Sequence, residues 1–274
     1  MATIYSTGPN ENSSAAADDG NITSGPGHTA ASWAAARAAS GVNLTVNDGI
    51  VGDSHAYCGA SSGAAGRGLR FECVRSFYHF DTSNTSNCTA LTLDLMGFQG
   101  GAYSSGNLIV LESDAFNHGS SNALVAADWN NIPGWNGGGS TNMTGATEYS
   151  TVFPTAQTSW THSGQYNVIT LNAAAVTRAN NSDHFIIALV NYTYDYQANT
   201  PLASGTSLAA SNALDVSLGG YHNDFTTSGR RPRLSLTIAA PSGYGNIVNT
   251  VLATNIGKVN SVATANISKI NSVD

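Results

Sequence analysis

Charged residues are scarce in this chain: Asp, Glu, Lys and Arg together make up only 10% of its 274 residues. Glycine is abundant, with 29 residues, and Ser, Thr, Asn and Ala are visibly frequent. Because Lys and Glu usually fill exposed helix surfaces, their scarcity argues against a helical enzyme. The composition is typical of a turn-rich β protein or an extracellular assembly, and the length suffices for one β-sandwich domain with an appendage.

Basic residues are also scarce, and long apolar runs are missing. The chain has only ten Lys and Arg residues, and its net charge is −7. Because a nucleic-acid binder needs a basic patch to neutralise phosphates, we expect no nucleic-acid partner. No apolar run approaches the roughly 20 residues that span a bilayer, so we expect no membrane partner. Residues 1–5 show neither the basic nor the apolar region of an export signal, so we expect synthesis in the cytoplasm without signal-directed export.

Cysteine is rare, and its three positions do not match a metal site. Cys58, Cys73 and Cys88 show no Cys-x-x-Cys or Cys/His spacing, so zinc is not expected. An odd number of cysteines leaves at least one thiol unpaired. We expect free, buried thiols, and a Cys58–Cys73 or a Cys73–Cys88 bridge stays open as the alternative.

Two recognisable catalytic motifs are absent from the sequence, which has no His-Glu-x-x-His helix and no phosphate-binding glycine loop. We therefore expect no enzyme and no cofactor. A glycosidase needs two carboxylates roughly 5 to 9.5 Å apart. The pairs Asp94 with Glu112 and Asp195 with Asp224 keep that less favoured alternative open. The acidic turn Asp18-Asp19-Gly20 is interpreted as solvated, with a structural calcium site as the alternative.

The most informative stretch runs from residue 71 to residue 83. It is rich in aromatic and β-branched residues and ends in an Asp-Thr-Ser-Asn turn, which predicts a strand with a firm end. One alternation face carries Phe71, Cys73 and Phe77, and the other carries Val74, Tyr78 and Phe80. Apolar residues on both faces predict a central strand that is covered on both sides. Arg75 is interpreted as a structural residue whose guanidinium pairs with a carboxylate or carbonyl oxygen.

Other elements follow from alternation and capping. A short helix is predicted at residues 32–41, where Ser32 caps the start and Gly41 suits the end. The most apolar run, residues 185–190, is predicted to be the deepest strand. Residues 108–112 are predicted to pair with residues 90–96 across a Gly-rich turn, and residues 10–27 are predicted to be loop. Further strands are predicted at residues 2–8, 42–46, 166–171, 214–218, 219–222 and 234–238.

A long segment without periodicity, residues 113–153, interrupts the strands. Because such a loop in a compact domain is usually functional or packed as its own small unit, we expect a binding surface there first. Aromatic rings stack on the apolar face of a pyranose, while Asn, Asp and Arg hydrogen-bond its hydroxyls. The candidate carbohydrate-binding residues are Trp129, Trp135, Tyr194, Tyr196 and Tyr221. Core or interface packing is the alternative for each ring.

The C-terminal segment, residues 241–274, carries an 11-residue repeat, seen in Val248-Asn249-Thr250-Val251, Val259-Asn260-Ser261-Val262 and Ile270-Asn271-Ser272-Val273. An 11-residue apolar period favours a right-handed supercoil of helices. The poor helix formers in the repeat favour stacked β-turns instead, and a disordered tail is the third alternative. A repeat too small to bury its own apolar face needs a partner, which predicts self-association with a trimer favoured. The oligomerisation residues are Val248, Val251, Ile256, Val259, Val262, Ile267, Ile270 and Val273.

Several of these motifs resemble a known family. They are Arg75-Ser76-Phe77 with Phe80-Asp81-Thr82-Ser83, the strand at residues 90–95, Ser159-Trp160 with residues 166–171, and residues 231–238. Together they look like the jelly-roll modules of the disaggregatase-related group, which are similar to carbohydrate-binding β-sandwiches and recur in phage virion proteins. The tail repeat looks like the tails of predicted structural proteins from marine phages. The resemblance implies a helix containing Trp33 and a helical turn at residues 172–176.

Composition, patterning and resemblance together define the expected fold and function. The fold is all-β, an antiparallel jelly-roll β-sandwich over residues 1–240 with one short helix, followed by the repeat tail over residues 241–274. The expected function is a non-enzymatic bacteriophage virion structural protein, either a capsid decoration or a fibre or appendage subunit. Its partners would be further copies of itself and other virion proteins. The alternative is a glycan-binding adhesin for a surface polysaccharide, and a carbohydrate-active enzyme is less favoured.

Overall fold

The chain forms two compact units, Met1–Thr237 and Ile238–Asp274. The start of the repeat predicts a corresponding boundary at about residue 240. The computed structural model describes residues 2–6, 19–24, 31–38, 43–46, 53–54, 57–62, 69–96, 107–116, 124–154, 166–201, 220–221, 232–239, 258–259 and 262–263. The predicted strand at residues 214–218 lies outside them.

Antiparallel strands are the commonest regular elements among the described residues of the first unit. In chain order they are β1 (Ala2–Tyr5), β2 (Asp19–Thr23), β3 (Asn43–Val46), β4 (Asp53–Ser54), β5 (Tyr57–Ser62), β6 (Leu69–Asp81), β7 (Cys88–Met96), β8 (Asn107–Glu112), β9 (Phe153–Pro154), β10 (Tyr166–Thr170), β11 (His184–Asn191), β12 (Gly220–Tyr221) and β13 (Arg233–Ile238). The described helical elements are α1 (Trp33–Ala38), a 3-10 helix (Ala126–Asn130), α2 (Ala173–Asn181) and a π-helical turn (Tyr192–Tyr196). The all-β character that the composition predicts is therefore confirmed.

The strands form two main sheets. Within the described residues, the first sheet has the order β1-β13-β7-β10. The second sheet has the order β3-β2-β6-β11-β8-β9, and β5 also pairs with β6. A separate pair joins β4 to β12. Neighbouring strands run antiparallel, with Phe185 opposite Phe80 in the second sheet and Val168 opposite Asp94 in the first.

Strand β6 is central, as predicted, and its two faces enter different hydrophobic cores. Tyr78 and Phe80 belong to the core between the two sheets. On the other face, Phe71, Cys73 and Phe77 belong to a second core, which α1 and the long irregular segment cover. The neighbouring β11 is buried along Phe185–Val190, so the prediction of a deepest strand is confirmed. Each fully buried large apolar side chain stabilises the fold by about 1.5–3 kcal/mol.

Strand β8 does not pair with β7, so that prediction is wrong. It pairs with β11 in the second sheet, where Ile109 lies opposite Val190, whereas β7 belongs to the first sheet. Leu108 and Val110 enter the core between the sheets, and Ile109 and Leu111 enter the second core. A strand with apolar residues on both faces needs a position covered on both sides, which the second sheet provides.

Strand β2 and helix α2 also depart from the expected pattern. β2 lies inside residues 10–27, which the sequence pattern predicts to be loop. Its pairing with β3 and β6 and the burial of Ile22 outweigh the weak local signal. Helix α2 extends the expected turn at residues 172–176 to nine residues, and the Asn172 side chain caps it by accepting two backbone N–H groups. The described residues thus contain two α-helices rather than one.

The second unit is described at two short strands, β14 (Lys258–Val259) and β15 (Val262–Ala263). They form an antiparallel hairpin in which Val259 lies opposite Val262. These four residues therefore adopt β structure, and the arrangement of the repeat over residues 241–274 stays a prediction. The other predicted oligomerisation residues lie outside the described residues: Val248, Val251, Ile256, Ile267, Ile270 and Val273.

No helix among the described residues is long and apolar enough to cross a bilayer. In this described part of the chain, no group of three or more His, Cys, Asp or Glu side chains is placed to hold a metal ion. Of the acidic turn considered for calcium, the backbone of Asp19 lies in β2, and Asp18 lies outside the described residues.

Candidate functional site

The tryptophans of the long irregular segment are buried rather than exposed. Trp129 is 0% exposed and Trp135 is 7% exposed. The Cζ atom of Arg75 lies 3.9 Å from the ring centroid of Trp129 and 4.3 Å from that of Trp135, so both rings pack on one guanidinium. Neither ring is available to a pyranose. We therefore correct Trp129 and Trp135 from candidate carbohydrate-binding residues to core residues.

The guanidinium between these rings belongs to a buried ion cluster, here called the Arg–Asp cluster: Arg37 of α1, Arg75 of β6 and Asp195 of the π-helical turn. Arg75 donates from Nε to Oδ2 of Asp195 at 2.7 Å and from Nη2 to Oδ1 at 2.8 Å. Arg37 donates from Nε to Oδ1 of Asp195 at 3.1 Å. It also donates from Nη1 to the carbonyl oxygens of Gly139 at 2.5 Å and Thr141 at 2.8 Å. The cluster thereby joins four segments that are distant in sequence.

Burial makes the charges of the Arg–Asp cluster depend on one another. All three side chains are fully buried. Burial acts to raise the pKa of Asp195, but the guanidiniums of Arg75 and Arg37 outweigh it and hold that pKa below its ordinary value. Burial likewise acts to lower the pKa of Arg75, and Asp195 outweighs this effect and raises it. Asp195 is thus an ionised structural group without access to a substrate, and its suggested catalytic partner Asp224 lies outside the described residues.

The other carboxylate pair considered for hydrolysis is Asp94 with Glu112, and these two side chains bind different partners. Asp94 accepts from Nε of Arg233 at 3.0 Å and from Oγ of Ser235 at 2.7 Å. It alternates along β7 with residues of the core between the sheets, so it lies on the opposite face of the first sheet. Glu112 lies on the second sheet, with Oε1 3.6 Å from Nη1 of Arg178. The two carboxylates therefore do not face each other.

The π-helical turn Tyr192–Tyr196 follows directly after β11. The Tyr192 carbonyl accepts the backbone N–H of Gln197 at 3.0 Å, which is the wide i→i+5 bond of a π-helix. Asn191 caps the turn by accepting a backbone N–H on Oδ1 at 2.9 Å. Ala198 then adopts a positive φ of 60°, which costs a residue with a Cβ about 1–2 kcal/mol. Because π turns and strained residues concentrate at functional sites, this turn marks a candidate site.

An open cleft lies beside this turn and is here called the tyrosine cleft. Its volume is about 400 Å³, within the roughly 300–1,000 Å³ of small-molecule sites. Tyr192 and Tyr196 stack with ring centroids 5.3 Å apart and ring planes inclined by 17°. The lining residues are Asn142, Thr144, Glu148, Tyr192, Tyr196, Gln197 and Asn199. The cleft therefore combines aromatic surface with hydroxyl, amide and carboxylate groups.

Hydrogen bonds hold the two tyrosines of the cleft in place. The Tyr196 hydroxyl donates to the Glu148 carboxylate, and Nε2 of Gln197 donates to the Tyr192 hydroxyl at 3.1 Å. Burial, followed by the Glu148 carboxylate, raises the pKa of Tyr196, so its hydroxyl remains a donor at neutral pH. Tyr196 is 4% exposed, whereas Tyr192 is half-buried. Tyr192 therefore offers the accessible ring, and Tyr196 supports it.

Contacts with the interior fix both walls of the cleft. The backbone N–H of Met143 donates to the Tyr196 carbonyl at 2.8 Å, which joins the irregular segment to the π-helical turn. Asp195, inside the turn, is bound by the Arg–Asp cluster. Nε1 of Trp33 donates to the Tyr194 carbonyl at 3.2 Å and attaches the same turn to α1. These contacts all lie within the chain, and they fix the backbone on both sides of the cleft.

One of the predicted carbohydrate-binding residues, Tyr196, lines the tyrosine cleft. Tyr194 is half-buried and packs against the second core, and the backbone of Tyr221 lies in β12, with its side chain outside the described residues. The lining residues that were missed are Asn142, Thr144, Glu148, Tyr192, Gln197 and Asn199. The cleft forms where the long irregular segment meets the tyrosine run, and these two sequence features were the available signals.

Comparison with known proteins assigns no family: no family model matches the chain, and no curated protein matches its sequence.

Proposed function

We propose that this chain is a non-enzymatic glycan-binding β-sandwich protein whose ligand site is the tyrosine cleft. The observation that carries the proposal is a concave site with a stacked tyrosine pair among convergent amide, hydroxyl and carboxylate groups. A purely architectural protein has no need of such a cleft, because its aromatic rings serve packing. The similarity of the sequence motifs to carbohydrate-binding sandwiches supports the same function.

The cleft offers the two kinds of contact that a sugar ring requires. The half-buried ring of Tyr192 supplies a flat apolar surface for the C–H face of a pyranose. The side chains of Asn142, Gln197 and Asn199 are exposed, and their amides donate and accept in one plane, as sugar hydroxyls need. Hydrogen bonds already fix the tyrosines, so little conformational entropy is lost when a ligand binds.

The charge of the cleft points to a neutral glycan or an amino sugar as the ligand. Glu148 is the charged group among the described lining residues, and no Lys or Arg lines the cleft with it. A carboxylate accepts hydrogen bonds from hydroxyl or ammonium groups and repels the carboxylate of a uronic or sialic acid. The net charge of −7 adds to this repulsion.

The test is a glycan array that includes neutral and acidic polysaccharides. The array is probed with the intact chain and with Tyr192→Ala. We expect the intact chain to bind neutral glycans, and Tyr192→Ala to bind about tenfold more weakly because the stacking surface is lost. Tyr194→Ala is the matched control, because Tyr194 lies in the same turn and packs against the same core as Tyr192 but is not among the residues that line the cleft. Circular dichroism checks that each variant is folded. Equal binding by the intact chain and Tyr192→Ala, or no binding to any glycan, contradicts the proposal.

The second proposed role is a virion structural protein, a capsid decoration or a fibre or appendage subunit, that displays this domain on a phage particle. It rests on the likeness of the repeat to marine phage tails and of the domain to jelly-roll modules, whose connectivity we propose for the sandwich. The compact unit Ile238–Asp274 is the segment proposed to bind further copies of the chain or other virion proteins. Glycan binding at the particle surface would make the two roles compatible.

Removal of residues 241–274 is expected to abolish self-association and leave the β-sandwich folded. The physical reason is that the short hairpin β14–β15 is too small to be stable without packing against a partner. Light scattering coupled to size exclusion should show an oligomer, with a trimer favoured, for the intact chain and a monomer for the truncated chain. Assembly of the truncated chain to the same mass would exclude the tail as the oligomerisation segment.

A further inference from the structure

Two of the three cysteines lie directly opposite each other on neighbouring strands. Cys58 of β5 is the register partner of Cys73 of β6. Their Sγ atoms are 3.6 Å apart, and both side chains are 0% exposed. Cys88 belongs to the other core, where its Sγ donates to the carbonyl of Ala90. The contact between Cys58 and Cys73 distinguishes this pair from the Cys73–Cys88 pairing that the sequence also left open.

The backbone shows that this pair occupies a non-hydrogen-bonded position of the ladder. Val74 pairs with Thr23 of β2 and with Tyr57 of β5, so β2 and β5 flank opposite edges of β6. The N–H of Cys73 donates to Oγ of Ser24 at 2.9 Å, and its carbonyl accepts the N–H of Ser24 at 2.9 Å. The N–H and the carbonyl of Cys73 thus both point to the β2 edge, so neither forms a ladder hydrogen bond with Cys58.

That position suits a disulfide. Non-hydrogen-bonded pairs in antiparallel sheets have Cα atoms about 4.5 Å apart, with side chains closer than at hydrogen-bonded positions. A disulfide requires a Cα separation of about 4.4–6.8 Å. The sulfurs are already in contact at 3.6 Å, so a small rotation about the Cα–Cβ bonds joins them without moving either strand.

We propose that Cys58 and Cys73 form a structural disulfide when the chain folds in oxidising surroundings, and that Cys88 remains a thiol. With oxidised glutathione as the oxidant, one cysteine thiolate attacks the glutathione disulfide and releases one glutathione. The second cysteine thiolate then displaces the other glutathione. Two protein thiols are oxidised, one S–S bond moves to the protein, and two molecules of glutathione carry away the electrons and protons. This inference does not depend on the glycan-binding proposal.

The burial of the pair determines when the bond forms. Burial, followed by the hydrogen bond with Cys73, raises the pKa of the Cys58 thiol, so little reactive thiolate is present in the folded protein. Oxidation therefore takes place while β5 is still open, during folding or refolding. Once formed, the bond joins β5 to β6 at Cys73, two residues before Arg75, which is the member of the Arg–Asp cluster on β6. Its lack of exposure protects it from reduction.

The test is to refold the intact chain in a glutathione redox buffer and, separately, in dithiothreitol. After oxidative refolding, we expect the protein to be lighter by two hydrogen atoms. Alkylation in denaturant should then label Cys88 alone, and peptide mapping should find Cys58 joined to Cys73. Because a bond that closes about 15 residues restricts the unfolded chain, the oxidised form should melt about 5–10 °C higher than the reduced form.

Single variants separate this bridge from its alternatives. Cys88→Ser should keep both the mass change and the rise in melting temperature. Cys58→Ala and Cys73→Ala should each lose both, and either one suffices if the other fails to fold. Three alkylated cysteines after oxidative refolding, a bridge that contains Cys88, or equal melting temperatures of the oxidised and reduced forms would overturn the proposal.

Discussion

Replacement of Asp195 with Asn is expected to lower the free energy of unfolding by about 3–5 kcal/mol, or to prevent folding altogether. Asn keeps the shape of the side chain but removes the charge between two buried guanidiniums. Arg37 and Arg75 are both 0% exposed, so neither can recover water as a substitute. The loss is measured by urea denaturation, followed by tryptophan fluorescence, because Trp129 and Trp135 pack on Arg75.

Asp114→Asn is the matched control for this substitution. Asp114 also lies near an arginine, with Oδ1 3.9 Å from Nη2 of Arg178, but its side chain is 61% exposed. Surface ion pairs of this kind contribute little, so the control should change the free energy of unfolding by less than about 0.5 kcal/mol. Equal urea midpoints for the intact chain and Asp195→Asn would show that the Arg–Asp cluster does not hold the domain together.

Replacement of Gly139 with Ala should destabilise the domain by about 3 kcal/mol. A Cβ at Gly139 would overlap the carbonyl oxygen of Ala34 in α1 and lie 2.9 Å from the Cβ of Ala38. Both obstacles are part of a helix, so relief requires α1 and the irregular segment to separate. That movement also lengthens the bond from Arg37 to the Gly139 carbonyl, now 2.5 Å. Thermal denaturation measures the effect.

Gly138→Ala is the matched control, because it adds the same Cβ at the neighbouring position. The nearest atoms to a Cβ at Gly138 are Oγ1 of Thr141 at 2.9 Å and Oδ1 of Asn136 at 3.1 Å, which are ends of exposed side chains that can turn away. Its cost should stay below about 1 kcal/mol. If Gly138→Ala and Gly139→Ala melt at the same temperature, the close contact between α1 and the irregular segment does not contribute to stability.

Local sequence pattern predicted the strands that carry their own signal. Apolar residues on both alternation faces placed β6 at the centre, and the apolar run of β11 predicted its burial; the structure confirms both. The interpretation of Arg75 as a structural residue is also confirmed, because it binds the Asp195 carboxylate and the Trp129 carbonyl. These features depend on alternation and charge, which short stretches of sequence contain.

The sequence could not predict which strands pair with one another. β8 pairs with β11, about 75 residues away in the chain, rather than with β7, because burial on both faces decides its place. β2 lacks an apolar pattern of its own and is a strand through its pairing with β6. The fold class therefore followed from the sequence, and the sheet order did not.

The candidate site was likewise only partly predictable from local sequence pattern. The tyrosine run after β11 pointed to Tyr196, but the stack with Tyr192 depends on a π-helical turn that no local rule anticipates. The exposed polar residues of the cleft, such as Asn142 and Glu148, carry no signal by themselves, because such residues are common in loops. Trp129 and Trp135 looked like binding residues because a long loop carries them, yet they shield the buried charge of Arg75.

The Arg–Asp cluster and the tyrosine cleft lie on two sides of the π-helical turn. Asp195 points into the Arg–Asp cluster, while the adjacent Tyr196 lines the cleft. The ionic contacts fix the backbone, and the backbone sets the positions of Tyr192 and Gln197. Burial of the three charged side chains costs desolvation energy. The Arg–Asp cluster nevertheless orders the turn at the surface, which includes the strained backbone at Ala198.

The measurement that tests the central claim most directly is hydrogen–deuterium exchange of the intact chain with and without a neutral oligosaccharide at millimolar concentration. If the tyrosine cleft is the ligand site, peptides that cover residues 142–148 and 192–199 should exchange more slowly with the sugar, and peptides of β7 and β10 should be unchanged. Protection confined to other segments, or no protection by any glycan that the chain binds on an array, would contradict the account.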